Sequence, residues 1–253
     1  MSEYIKAFVI SVLAGIVPIL IQYCITNKWS FLELTLIILL SISIALLFLM
    51  GSRILSYRKF GLSSIHDSKK ELNIISKLKT CQNGLSFLGV SARTILSAEA
   101  RKSIEQAFAQ NNQLSLKFLL FDPRETEFGK RRALDETGNE EIWDSWKYII
   151  LSSIEELGVL NSEGKKRKIE VRVYKSFPIF RALFVDSNTV FLNYYGKGFS
   201  PAEINCLKLT KGKNSYYEAL EKYYNELWNS SEIILSNDVN NIPNLRNTLN
   251  HEL

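Results

Sequence analysis

In the stretch PIFRALFVDSNTVFLNYYG (Pro178–Gly196), two charged side chains stand in otherwise apolar surroundings: Arg181 and Asp186. A guanidinium is a planar fork of donors suited to phosphate. The alternating apolar pattern on either side of Asp-Ser-Asn reads as two strands joined by a tight turn. Two readings of the pair are open. Arg181 and Asp186 mark an anion site, or Asp186 only shapes the turn and Arg181 is a salt-bridged edge residue. A second candidate is GVSART, where Ser91 and Arg93 follow the apolar run LSFLGVS. That is the C-terminal end of a strand, where open α/β sheets commonly bind ligands. Other chemistry is scarce. The chain has only His66 and His251, and its three cysteines (Cys24, Cys81, Cys206) have no paired spacing. The cysteines therefore read as reduced thiols. No metal-ligand spacing is present and no cofactor is implied. The basic run GKKRK (164–168) is either a solvated loop or a patch for polyanions or acidic lipid headgroups.

The elements that must hold these residues follow from the patterning. Asn83-Gly84 precedes a strand over 85–91, and Ser97 caps a helix, SAEARKSIEQAFAQ. LSLKFLLFDP (114–123) is a second strand closed by Asp-Pro. FGKRRALDETGNEE reads as a charged loop, followed by a long helix from about Glu140 to Gly158 with Trp143, Trp146, Ile149 and Ile150 on its apolar side. KKRKIEVRVYK contains a third strand. The hairpin follows, then a loop, KLTKGKNS, and an aromatic-rich helix from Tyr216 to Trp228. From Asn237 the chain is a polar tail expected to fray. Strand, helix, strand, helix, strand, hairpin and helix make an α/β pattern.

The region from Leu85 to Trp228 resembles a single phospholipase D-like domain. That family opens with a strand, a helix and a strand ending near Asp-Pro, and its hairpin carries the motif HxKxxxxD followed by Gly-Ser and often Asn. Aligned on Asp186, the lysine position holds Arg181, the histidine position holds Ile179, and Asn193-Tyr194 stands where Gly-Ser would be. In the family the histidine is the nucleophile on phosphorus, and an isoleucine cannot take that part. The resemblance thus implies a phospholipase D-like frame with a mixed sheet, no phosphodiesterase activity and a retained phosphate site. Its expected ligand residues are Ser91, Arg93, Arg181, Asp186 and Asn193. Complete sites of that family are made from two such domains, so the resemblance also implies a dimer or tetramer.

Two stretches carry no charge: Ala7–Ile25 and Leu34–Gly51. Crossing the hydrocarbon core takes about 20 apolar residues. Both are expected to span a bilayer as a helical hairpin joined by TNKWSFLE. Arg53, Arg58, Lys59, Lys69 and Lys70 follow the second span, against Lys28 alone between the spans. The positive-inside rule then puts both termini in the cytoplasm. Ser11, Gly15, Pro18 and Gln22 share one helix face. That face either packs the hairpin, with Pro18 as a kink, or lines a pore in an oligomer.

The organisation expected is a transmembrane hairpin over 1–52, a linker and stalk helix over 53–80 with Leu72, Ile75 and Leu78 on its apolar side, a phospholipase D-like domain over 81–236, and a tail over 237–253. Two-span anchors on small nucleotide-sensing domains are similar to membrane effectors of bacterial anti-phage systems, including the Hailong type. This points to a non-enzymatic effector that senses a nucleotide or oligonucleotide, made by a neighbouring nucleotidyltransferase, and controls membrane permeability as an oligomer. The alternatives are a membrane-tethered phosphodiesterase acting on phospholipid or nucleic acid, and a membrane-anchored scaffold.

Overall fold

The computed structural model describes residues 18, 21–22, 31–66, 81–93, 95–111, 113–163, 168–198 and 205–251. The chain divides into two compact units, Met1–Lys59 and Phe60–Leu253. In the first unit, helix α1 (Phe31–Lys59) runs for 29 residues and contains the whole uncharged run Leu34–Gly51. Its apolar side chains include the exposed Leu36, Leu40, Leu47 and Met50. Among the described residues no helix is long and apolar enough to cross a membrane. Side chains of α1 are described along only part of its length. The first expected span falls outside the described residues apart from the helical Pro18, Ile21 and Gln22, so Ser11 and Gly15 fall outside them too.

Among the described residues, the second unit is an α/β domain built on one mixed sheet of eight strands, ordered β1-β7-β6-β5-β2-β3-β4-β8. The strands are β1 (Leu62–His66), β2 (Gly84–Gly89), β3 (Ser115–Phe121), β4 (Lys168–Tyr174), β5 (Phe180–Val185), β6 (Thr189–Tyr194), β7 (Cys206–Thr210) and β8 (Glu232–Leu235). β2, β3 and β4 are parallel, and every other pairing is antiparallel. The central strands read as near-continuous apolar runs because both faces are covered. Phe118, Leu119, Leu120 and Phe121 are all fully buried.

The parallel strands are joined through helices. α2 (Ala98–Gln110) links β2 to β3, while α3 (Thr126–Thr137) and α4 (Ile142–Glu163) link β3 to β4. Ser97 caps α2 by accepting from the Ala100 N–H, as its sequence suggests. Right-handed crossovers put α2 and α4 on the same face of the sheet. α5 (Tyr216–Ser230) covers the other face: Tyr217 and Tyr224 pack on Phe184, and Tyr223 packs on Phe180. The last element is α6 (Ile242–His251).

Four expectations are corrected. The charged segment 128–141 is not a loop: most of it is α3, which ends at Gly138 with φ 76. Its charges conceal an inner stripe of Gly129, Arg132 and Ala133, all buried. A Cβ on Gly129 would lie 2.2 Å from the Trp143 ring, so the absence of a side chain lets the indole lie against the helix. Lys208–Thr210, read as loop, belongs to β7 and pairs with β6. The stalk expected over 53–80 is interrupted: α1 runs on to Lys59, and Leu62–His66 forms the edge strand β1 against β7. Its apolar positions Leu72, Ile75 and Leu78 fall outside the described residues. The tail does not fray, because Leu245 and Leu249, one helical turn apart, are both buried and the Arg246 guanidinium pairs with Glu155 of α4.

Candidate functional site

The strand register separates the residues expected to act together. β5 runs antiparallel to β2, with Leu85 opposite Val185 and Leu88 opposite Ala182. Arg181 therefore stands at the C-terminal end of β2 and Asp186 at its N-terminal end. Five residues of strand separate them by roughly 17 Å.

Asp186 closes a knot at its end of the sheet. Its backbone is left-handed, φ 52, in the Asp-Ser turn. Its Oδ1 accepts from the backbone N–H groups of Gln82 (2.9 Å) and Asn83 (2.7 Å), and from the Cys81 thiol (3.2 Å). Its own N–H donates to the Gly84 carbonyl at 2.9 Å. Burial works to raise the carboxyl's pKa, but the donors from Asn83, Cys81, Gln82 and Gly84 outweigh it and hold the pKa below its ordinary value. Burial, helped by the same contact, pushes the Cys81 thiol up to about 12. Asp186 thus fastens the hairpin turn to the entry of β2.

At the opposite end, Arg181 lies beside Asn193, its register partner on β6. The Arg181 Nε and Nη2 donate to the Asn193 carboxamide oxygen at 3.3 and 3.2 Å. Asn193 is itself buried, and its amide donates to the Asn205 carbonyl. Burial lowers the Arg181 pKa, opposed by Tyr195, Cys206 and Glu136. Tyr195 joins this cluster to β2, its phenol oxygen accepting from the Val90 N–H at 3.1 Å. Burial raises the phenol's pKa, so it stays protonated at neutral pH. A second guanidinium, that of Arg132 in α3, lies 4.6 Å from the Tyr195 ring centre and bonds Glu136 at 2.5 Å.

The expected set is therefore brought together only in part. Arg181 and Asn193 meet directly. Ser91, half-buried, follows Val90 and so lies one residue from the Tyr195 contact. Arg93 is exposed and turns to a groove shared with Tyr148, Ser152 and Glu156 of α4. Tyr195 and Arg132 were missed by reading the sequence. Arg132 was hidden in an apparent loop, although the i, i+4 pair Arg132–Glu136 is a helix signal.

The histidine position of the motif is filled by the half-exposed Ile179, whose carbonyl accepts from the Tyr195 N–H at 3.0 Å. His66 is paired in register with Cys206 on β7, with β6 between β7 and β5. Three strand spacings, roughly 14 Å, separate it from Arg181. The Cys206 thiol, buried beside Asn193, is pushed up to about 11, chiefly by burial. Among the described residues no cluster of His, Cys, Asp and Glu could hold a metal ion. The geometry offers an orienting frame for an anion: one guanidinium fixed by a carboxamide, a neutral phenol and a second guanidinium stacked on it.

No family model and no curated protein matches the sequence. Among solved structures, the chain is similar to Nuc, a phospholipase D family member from Salmonella typhimurium, at 14% identity and TM-score 0.42, over 67% of this chain and 95% of that one. It is similar to the archaeal chromatin protein TrmBL2 at 15% identity and TM-score 0.42, over 79% and 64%. It is also similar to phosphatidylserine synthase from Haemophilus influenzae Rd KW20 at 12% identity and TM-score 0.45, over 72% and 42%.

Proposed function

We propose that this chain is a non-enzymatic, membrane-anchored binding protein whose α/β domain takes the phosphate of a nucleotide or oligonucleotide at Arg181. In its full form the reading is an oligomeric bacterial effector, with its ligand governing membrane permeability as in anti-phage defence. The observation that carries it is the half-buried Arg181 guanidinium at the strand ends, oriented by Asn193, its pKa lowered by partial loss of water. A desolvated cation gains from an anion that replaces its hydration, and a guanidinium matches a phosphate in shape. The uncharged sequence runs Ala7–Ile25 and Leu34–Gly51 support the anchor. Coupling requires that the ligand favour one state of the membrane segment over another.

The test is binding of cyclic dinucleotides and short oligonucleotides to the detergent-solubilised chain, alongside dye release from vesicles containing it. Arg181→Ala is expected to lower affinity roughly tenfold to a hundredfold, the range for a lost charge-assisted hydrogen bond. It should also abolish ligand-dependent dye release while leaving oligomer size unchanged. An Arg181→Ala protein that binds and responds like wild type sinks the proposal.

A further inference from the structure

A second polar centre lies on the sheet face beneath α5, away from Arg181. In cross-strand register, Phe184 of β5, Ser86 of β2, Lys117 of β3 and Glu170 of β4 form a row. A row under a covering helix is ordinarily apolar. Here three of its four members are polar, and Lys117 stands in the middle strand of the parallel trio. Glu170, next to it, is bonded by the Arg172 Nε at 2.7 Å. Glu221 on α5 is bonded by Lys211 at 3.1 Å and by the Tyr217 hydroxyl at 3.2 Å. Both nearby carboxylates are thus engaged elsewhere. The Lys117 ammonium instead lies 5.3 Å from the Trp228 ring centre. Among the described residues it forms no ion pair.

The space beside Lys117 is a cavity of about 270 Å³, bordered by Ser86, Ser115, Lys117, Phe184, Glu221 and Tyr224 among others. Ligand pockets run from about 300 to 1,000 Å³, so this one fits a small metabolite and not a nucleotide strand. Burial holds the Tyr217 and Tyr224 hydroxyls protonated at neutral pH; Tyr217 gives its proton to Glu221, and Tyr224 remains as a donor. The cavity is half-open, and its one carboxylate, Glu221, is already paired with Lys211 and the Tyr217 hydroxyl. An ammonium with no ion pair, two serine hydroxyls and the Tyr224 phenol are the groups that select a small anion.

We propose that this cavity is a ligand site for a small organic anion, a carboxylate or phosphate monoester, held by the Lys117 ammonium with Ser86 and Ser115. It is independent of the Arg181 site, lying at the other end of β2 and on the opposite face. The rim includes Asn83, Gly84 and Ser187, which belong to or adjoin the Asp186 knot. A bound anion would therefore brace the join between hairpin turn and β2.

Trp228 gives a direct readout, because an anion that draws the ammonium off the indole changes the ring's surroundings. The full chain, labelled with 5-fluorotryptophan, is titrated with succinate, glutamate and glycerol phosphate to about 10 mM, weak binding by any standard. The ¹⁹F resonance of Trp228 is identified by its absence in Trp228→Phe. At least one of the three anions is expected to shift it saturably. Lys117→Met, which keeps the apolar stem, and Ser115→Leu, which fills the rim, should each weaken that binding at least about tenfold, the factor for one lost charge-assisted contact. Arg181→Ala should leave it unchanged. Succinate against glycerol phosphate tells carboxylate from phosphate. The absence of any saturable shift, or a shift that persists in Ser115→Leu and in folded Lys117→Met, overturns the proposal.

Discussion

Asp186 shows how one side chain can belong to a catalytic motif by position and to a structural knot by geometry. Three backbone N–H groups and a thiol converge on its Oδ1. Asp186→Ala removes the acceptor from all of them. The donors at Gln82 and Asn83 are exposed to water, so the cost sits at the lower end of the range for lost partners, about 1–2 kcal/mol in urea unfolding. The pH dependence has a definite sign. The carboxyl's pKa is depressed in the folded state, so its contribution is fully present above the unfolded value, about 3.9. It is lost as pH falls through the lower folded value. Asp186→Asn, which cannot ionise, should flatten the acid limb of the stability profile. An unchanged limb would show that the knot carries no charge-linked stability. Ile179 leads to a second expectation. With an alkyl side chain at the motif's histidine position and His66 roughly 14 Å from Arg181 by strand spacing, the purified chain should give no product from phospholipid, single-stranded DNA or bis-(p-nitrophenyl) phosphate. Turnover that persists through purification and vanishes in Arg181→Ala would restore the enzyme reading. Pattern alone displayed Arg181, Asp186 and Asn193 but not the sheet register that sets Arg181 and Asp186 at opposite ends. Register is a long-range property, fixed by pairing between β2 and β5 nearly 100 residues apart.

At the scale of elements, the strands and helices with strong local signals were legible: β2, β3, β4, the hairpin, α2, α4 and α5. The missed helices share one cause, an apolar stripe diluted by polar neighbours. α3 presents KRRALDE to the eye while burying Gly129, Arg132 and Ala133. α6 is IPNLRNTLNH, in which Leu245 and Leu249 alone are buried among the described side chains. The short edge strands β1 and β8 carry too few residues to show a period. α6 tests whether such a sparse stripe holds an element in place. Leu245→Ala deletes buried apolar volume against the α4 side of the domain, and should cost about 2–3 kcal/mol, the low end for a buried leucine near the surface. Thr248→Ala, on the exposed side of the same helix, should change stability by less than about 0.5 kcal/mol. Equal effects at the two positions, measured by urea unfolding, would mean that α6 contributes no packed core.

At the scale of the whole molecule, the chain changes character at one place. Up to Lys59 the described residues lie mainly in an apolar helix with exposed leucines, isoleucines and methionine; from Phe60 onward the chain is a domain with its own continuous core. The sequence placed that boundary at 52/53 because charge begins again at Arg53. The fold moves it to 59/60 because the helix continues through the basic residues and the Phe60 carbonyl accepts from the Tyr216 N–H of α5. The domain's core runs from Cys81 to Leu249 and draws on helices from both faces of the sheet. A unit of that kind should fold without the preceding residues. A fragment of residues 60–253 is therefore expected to be soluble without detergent, to unfold in a single cooperative step, and to bind the Arg181 ligand as tightly as the full chain. Residues 1–59 fused to a fluorescent protein should partition into membranes that resist alkaline carbonate. The exposed Ile179 and Tyr194 stand at the Arg181 end, where a site paired between two domains would need a second copy. Sedimentation of the 60–253 fragment at micromolar concentration should accordingly show a dimer or larger species. A soluble but strictly monomeric fragment that still binds would separate ligand recognition from assembly, and would assign the oligomer to the first 59 residues instead.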